Sequence, residues 1–139
     1  MARIMAFDYG KRRTGIAVTD ELQIIATGLA GVDTSGLMEF VADYLKQETV
    51  ECFVLGYPTD LNGNPTHSTA AVEAFQKQLK KKWPAIPVKL VDERFTSRDA
   101  TRALIASGIR KKARRNKKLL DEVSATIILQ DYLQSQEQA

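Results

Sequence analysis

Residues 3–20 read "RIMAFDYGKRRTGIAVTD", and the way this stretch folds decides the architecture. Residues 3–9 are apolar on both faces of a pleat, the pattern of a central strand covered on both sides. The run ends on Asp8, and Gly10 follows with three cations, Lys11, Arg12 and Arg13. Residues 14–20 read as a second strand and about 24–31 as a third, with links short enough for hairpins. An acid at the end of a buried strand gains nothing from burial. It either caps a turn or holds something.

Beyond the third strand the period changes. Leu37, Phe40, Val41, Tyr44 and Leu45 make one helical stripe. Residues 51–57, "ECFVLGY", revert to a buried strand, and a turn-rich loop follows with Asn62-Gly63 and Pro65 as breakers. A helix is expected over about 68–82 and a fifth strand over 87–93. A short helix over 97–107 follows, opened by Ser97 as N-cap and closed by Gly108. The last helix covers about 119–135. Three meandering strands followed by two helix-connected ones give an α/β fold with a five-stranded mixed sheet and helices on its faces. The first strand and the two late ones should run parallel. Their C-terminal ends then share one rim, where ligands bind in open α/β sheets.

Three carboxylates map to that rim. Asp8 ends strand one, Glu93 ends strand five, and Asp121 sits in the first turn of the last helix. Asp121, Ser124, Ala125, Ile128 and Tyr132 share one helical face, mostly small or apolar, which should lie against the sheet with its acid at the rim end. Each acid has an ordinary reading: a turn acid for Asp8, a surface ion pair with Arg94 for Glu93, a favourable helix-dipole charge for Asp121. Crowded together they would repel one another and lose hydration, unless a divalent cation sits among them. Mg²⁺ takes such hard oxygen ligands, and a pair of ions would stabilise both attacking and leaving oxygens in phosphodiester cleavage.

Composition narrows the classes. The 139 residues make one ordinary domain, residues 1–139, and 44% apolar with 27% charged residues predicts a packed core. No apolar run approaches the ~20 residues of a membrane span, and no secretory leader is legible. One cysteine and one histidine exclude a disulfide scaffold and a Cys/His zinc cluster, so a reducing cytoplasm is expected. The net charge of +3 is unevenly spread. Residues 110–118, "RKKARRNKK", hold seven of the 20 Lys and Arg, and the other 13 stand against 17 Asp and Glu. Such a local excess suggests a polyanion met at one place. Arg114, Arg115, Lys117 and Lys118 oppose the dipole of the helix they precede, as a flap gripping phosphates would; a solvated loop is the plainer reading. No stacking aromatics are interleaved, so backbone contact is predicted rather than base reading.

Four segments, "FDYGKRRTGIAV", "LGYPTDLNG", "VDERFTS" and "DEVSATIILQDYL", resemble in order and spacing the bacterial YqgF/RuvX family. Its members are small RNase H-like proteins, candidate Holliday-junction resolvases and candidate nucleases for the 5′ end of precursor 16S ribosomal RNA. The resemblance covers nearly the whole chain. It implies an RNase H-like fold, Mg²⁺ or Mn²⁺ chemistry and a cytoplasmic role in ribosome maturation, with Asp8, Glu93 and Asp121 as catalytic metal ligands. The wider resolvase group often carries a fourth acid after the last one; here that neighbour is Glu122, which helical spacing points off the shared face. On this reading Gly10 leaves room for a phosphate, and Lys11, Arg12 and Arg13 hold the nucleic-acid backbone.

The expected activity is therefore a metal-dependent nuclease acting on structured RNA, with a DNA junction resolvase as its rival in the same chemistry. A non-catalytic RNA-binding assembly factor is a rival of another class. A third, an actin-like ATPase or sugar kinase, shares the "DYGKRRTG" hairpin, but such enzymes need two domains around the nucleotide. Nor is the stretch a Walker A loop, because Gly15 precedes Ile16-Ala17 rather than Lys-Ser/Thr.

Overall fold

The computed structural model describes residues 2–57, 67–92 and 117–137. Strand β1 is Arg3–Asp8, β2 Arg13–Thr19 and β3 Ala26–Asp33. Helix α1 (Leu37–Gln47) leads to β4 (Val50–Tyr57), and α2 (His67–Lys82) leads to β5 (Val88–Asp92). The last helix, α3, is Lys117–Glu137. The turn-rich loop at 58–66 and the helix expected at 97–107 lie outside the described residues. The strands form one sheet in the order β3-β2-β1-β4-β5. β2 is antiparallel to β1 and β3, and β4 is parallel to β1 and β5. The mixed five-stranded sheet expected from the sequence is the one found.

Side chains alternate across a strand, and the two faces meet different helices. Met5 and Phe7 of β1, with Phe53 and Leu55 of β4, pack against Leu37 and Val41 of α1 and Val72, Phe75 and Leu79 of α2. Phe7 is fully buried, its ring 5.7 Å from Phe53 and 5.3 Å from Phe75. Ile4, Ala6, Ala17, Cys52 and Val54 point the other way, onto Ala125, Ile128 and Leu129 of α3. β1 and β4 read as unbroken apolar runs because both their faces are covered. Cys52 is a free, buried thiol, and desolvation pushes its pKa up.

The α3 face of the sheet is built from small residues, and the helix comes down to backbone contact. A Cβ added at Gly15 of β2 would stand 1.8 Å from the Asp121 carbonyl oxygen, and one at Gly31 of β3 2.2 Å from that of Lys118. Those two glycines are register partners, so together they make a bare patch on which the first turns of α3 rest. Glycine inside a strand commonly marks this kind of close approach.

Two boundaries differ from expectation. The third strand begins at Ala26, not near 24, because Asp20 captures the amides that would have opened it. Its Oδ1 accepts the N–H groups of Ile25 at 2.7 Å and Ile24 at 2.8 Å, and its Oδ2 that of Leu22 at 3.1 Å. These bonds, Ile25's foremost, hold the Asp20 carboxyl below its usual pKa. Gln23 is left with a φ of 59° in the left-handed region. The second difference is that α3 already includes Lys117, which places Asp121 one turn inside the helix rather than in its first turn. Among the described residues no helix is long and apolar enough to cross a membrane.

Candidate nuclease site

Strand parity decides where Asp8 points. Ile4 and Ala6 face α3, so Asp8, two residues further on, belongs to the same face. Asp8 is the register partner of Gly15, the glycine on which the Asp121 backbone rests. The two acids, 113 positions apart in the chain, therefore flank one residue that carries no side chain. The Asp121 side chain is only 14% exposed. Below it on α3, Ser124, Ala125 and Ile128 are fully buried, and Ser124 donates to the Leu120 carbonyl at 2.9 Å, which satisfies its hydroxyl inside the packed face. The face predicted from helical spacing is the buried one.

Glu122 goes elsewhere. A Cβ at Gly28 would lie 2.5 Å from its Oε1, so this carboxylate rests over β3, two strands from Asp8. Glu93 follows directly on Asp92, the last residue of β5, and lies outside the described residues, as do Arg114 and Arg115. Among the described residues no three His, Cys, Asp or Glu side chains gather as a metal cluster; what the backbone shows is Asp8 and Asp121 each next to Gly15. A donor set of carboxylate oxygens with no imidazole or thiolate suits a hard ion such as Mg²⁺ or Mn²⁺, and one or two carboxylates are what Mg²⁺ commonly takes.

The cations of the β1–β2 hairpin divide into two kinds. Lys11 and Arg12 are exposed. Arg13 turns back onto the α3 face and donates from Nε to Asp121 Oδ2 at 2.9 Å. The hairpin that carries them is tightly tied. A Cβ at Gly10 would stand 2.5 Å from the Arg13 carbonyl oxygen, so glycine is what lets the turn close. Thr34, just after β3, donates its N–H to the Arg12 carbonyl at 2.9 Å and its hydroxyl to the Gly10 carbonyl at 2.6 Å. Its hydroxyl also lies 2.9 Å from that of Thr14. Lys117 and Lys118 are exposed on the first turn of α3, where Lys118 Nζ lies 3.7 Å from Asp33 Oδ1. Asp33 is in turn the register partner of Arg13.

Sequence reasoning passed over Thr34, Asp33, Gly15 and Gly31. The glycines carried a legible signal, since both interrupt strand patterns that are otherwise apolar. Thr34 carried none, because its partners depend on a hairpin 20 residues upstream meeting the end of β3.

Residues 2–135 match the sequence profile of the family described as RuvX, Holliday junction resolvase. A protein of Bacteroides fragilis is 50% identical over 97% of this chain and 98% of its own length, and one of Phocaeicola vulgatus is 52% identical over 97% of each. Both carry the name "Putative pre-16S rRNA nuclease". Among solved structures, the Fowlpox virus resolvase in complex with Holliday junction DNA superposes with a TM-score of 0.60 at 16% identity, over 96% of this chain and 97% of that one. A second structure of the Fowlpox virus Holliday junction resolvase gives 0.53 at 18% identity, over 96% and 98%. The fold is RNase H-like.

Proposed function

The chain belongs to the RuvX Holliday junction resolvase family and is a nuclease, a hydrolase of phosphodiester bonds; we propose that it acts in the cytoplasm, with Mg²⁺ or Mn²⁺, on the 5′ end of precursor 16S ribosomal RNA. The observation that carries the metal reading is the convergence of Asp8 and Asp121 on either side of Gly15. These two acids, with Glu93 as the third, would hold the ion. Bound there, a divalent cation supplies Lewis acidity toward phosphoryl oxygens and lowers the pKa of water.

The chain's own residues supply position. Lys11 and Arg12 project, exposed, from a hairpin whose backbone is tied by Gly10 and Thr34 and which follows directly on Asp8. Arg114 and Arg115, ahead of α3 in sequence, and Lys117 and Lys118, within α3, add positive charge. Together they hold the phosphate backbone and leave base edges unread. If about six of these cations engage phosphates, affinity for RNA falls by about 10³-fold or more between 50 and 200 mM salt. Filter binding at the two concentrations measures this, and a flat response would remove the basic flap from the interface.

The substrate is tested with a panel of end-labelled precursor 16S RNA and four-way DNA junctions, incubated with Mg²⁺ or Mn²⁺. Cleavage of the RNA at its 5′ leader is expected. Cleavage of the junctions alone would make the chain a DNA resolvase. No cleavage of either, with tight RNA binding, would make it an assembly factor.

A further inference from the structure

Arg13 stands where a metal cation should. Its Nε donates to Oδ2 of Asp121 at 2.9 Å, across 108 positions of chain, in a setting where the carboxylate is 14% and the guanidinium 33% exposed. We propose that Arg13 is a latch on the metal site: it neutralises Asp121 while the protein is empty, and nucleic-acid phosphate draws it away, leaving Oδ2 for the ion. This rests on the metal-site reading above.

Three observations favour exchange over a permanent tie. The pair is held through one guanidinium nitrogen, Nε, and no described residue accepts from the other two. A phosphate offers two oxygens in the geometry that the guanidinium fork prefers, so it can outcompete a single-nitrogen contact. The backbone beneath Arg13 does not move to accommodate the swing, because its carbonyl sits under Gly10 and Thr34 clamps the flanking residues. Only side-chain torsions need change. Lys11 and Arg12 beside it are exposed, so a phosphate held by them arrives within reach of Arg13.

The electrostatics then runs in one direction. An acid one turn inside a packed helix, its side chain only 14% exposed, is costly without a counter-charge. The guanidinium removes that cost in the empty protein, and any cation that takes Oδ2 must displace it. Nucleic acid, by engaging Arg13, removes the competitor and so tightens the metal. Linkage requires the reverse as well: metal tightens nucleic acid by the same factor. A nuclease built this way keeps its metal weakly until a phosphate backbone is in place.

The test reads metal binding rather than turnover. Free Mn²⁺ is followed by electron paramagnetic resonance during titration of wild type, R13Q and D8N, with and without a short phosphorothioate RNA hairpin that resists hydrolysis. Wild type should bind Mn²⁺ about 10-fold more tightly with the hairpin than without, within the usual range of coupled sites. R13Q should bind tightly in both states, with the coupling gone. If R13Q binds Mn²⁺ more weakly than wild type, or keeps full coupling, the latch is wrong and Arg13 merely orients Asp121. D8N separates the two claims. Unchanged Mn²⁺ binding in D8N would overturn the metal site itself, whatever Arg13 does.

Discussion

Replacing Asp8 with asparagine is expected to lower the rate of phosphodiester cleavage by about 10³-fold, the several kcal/mol that a divalent ion contributes to transition-state charge stabilisation. The substitution keeps the shape of the side chain at the end of β1 and removes one anionic donor from beside Gly15. RNA affinity in the absence of metal should be unchanged or slightly higher, since the backbone contacts lie on Lys11, Arg12 and the flap. Thermal stability should change little, because asparagine keeps the size and shape of the side chain. Single-turnover cleavage, filter binding and a thermal melt on the same preparation give the three readings. Loss of activity together with loss of folding would say nothing of chemistry, so the melt decides how the first is read. A D8N protein that cuts at the wild-type rate would end the carboxylate–metal account.

Gly15→Ala carries the other large effect, for a different reason. The added methyl would stand 1.8 Å from the carbonyl oxygen of Asp121, 2.2 Å from its carbon and 3.0 Å from the Glu122 nitrogen. All three are backbone atoms, so no side chain can swing aside and the top of α3 must lift off the sheet. Overpacking of a well-filled site costs about 1–3 kcal/mol, and this position belongs at the upper end. For a chain of this size that is a fall in Tm of about 10 °C. Activity suffers separately. Asp8 pairs with residue 15 while Asp121 rides on the lifted turn, and a misplacement of about 1 Å commonly costs 10²-fold in rate. Gly36→Ala is the control, since nothing lies within 4 Å of its added Cβ. A Gly15→Ala protein with wild-type Tm and rate would mean that α3 does not rest on Gly15.

The parts of this fold that could be read from the sequence are those governed by local period. β1 and β4 declare themselves as unbroken apolar runs because a helix layer covers each face, and α1 and α2 by stripes that match their buried residues, Leu37 and Val41, Val72, Phe75 and Leu79. The buried face of α3 was legible for the same reason. What failed was decided by single polar groups. Asp20 moved the start of β3 by taking the amides of Leu22, Ile24 and Ile25, and no hydropathy pattern records where a carboxylate finds its donors. The site divides in the same way. Asp8 and Asp121 could be brought to one rim from topology and helical spacing. The Arg13–Asp121 contact could not, because it requires strand parity, the β1–β2 register and the close seat of α3 to hold at once. Arg13 looked like one of three equivalent cations. The fold made it different from its neighbours.

The solitary thiol of Cys52 gives the molecule a built-in reporter. It packs where β4 meets α3, only 7% exposed, with burial pushing the thiol pKa up. A thiol reagent is therefore slow to reach it, and reaches it faster when those layers part. Labelling at that one position, with no engineered probe and no second cysteine to confuse the count, times how often the helix bearing Asp121 comes away.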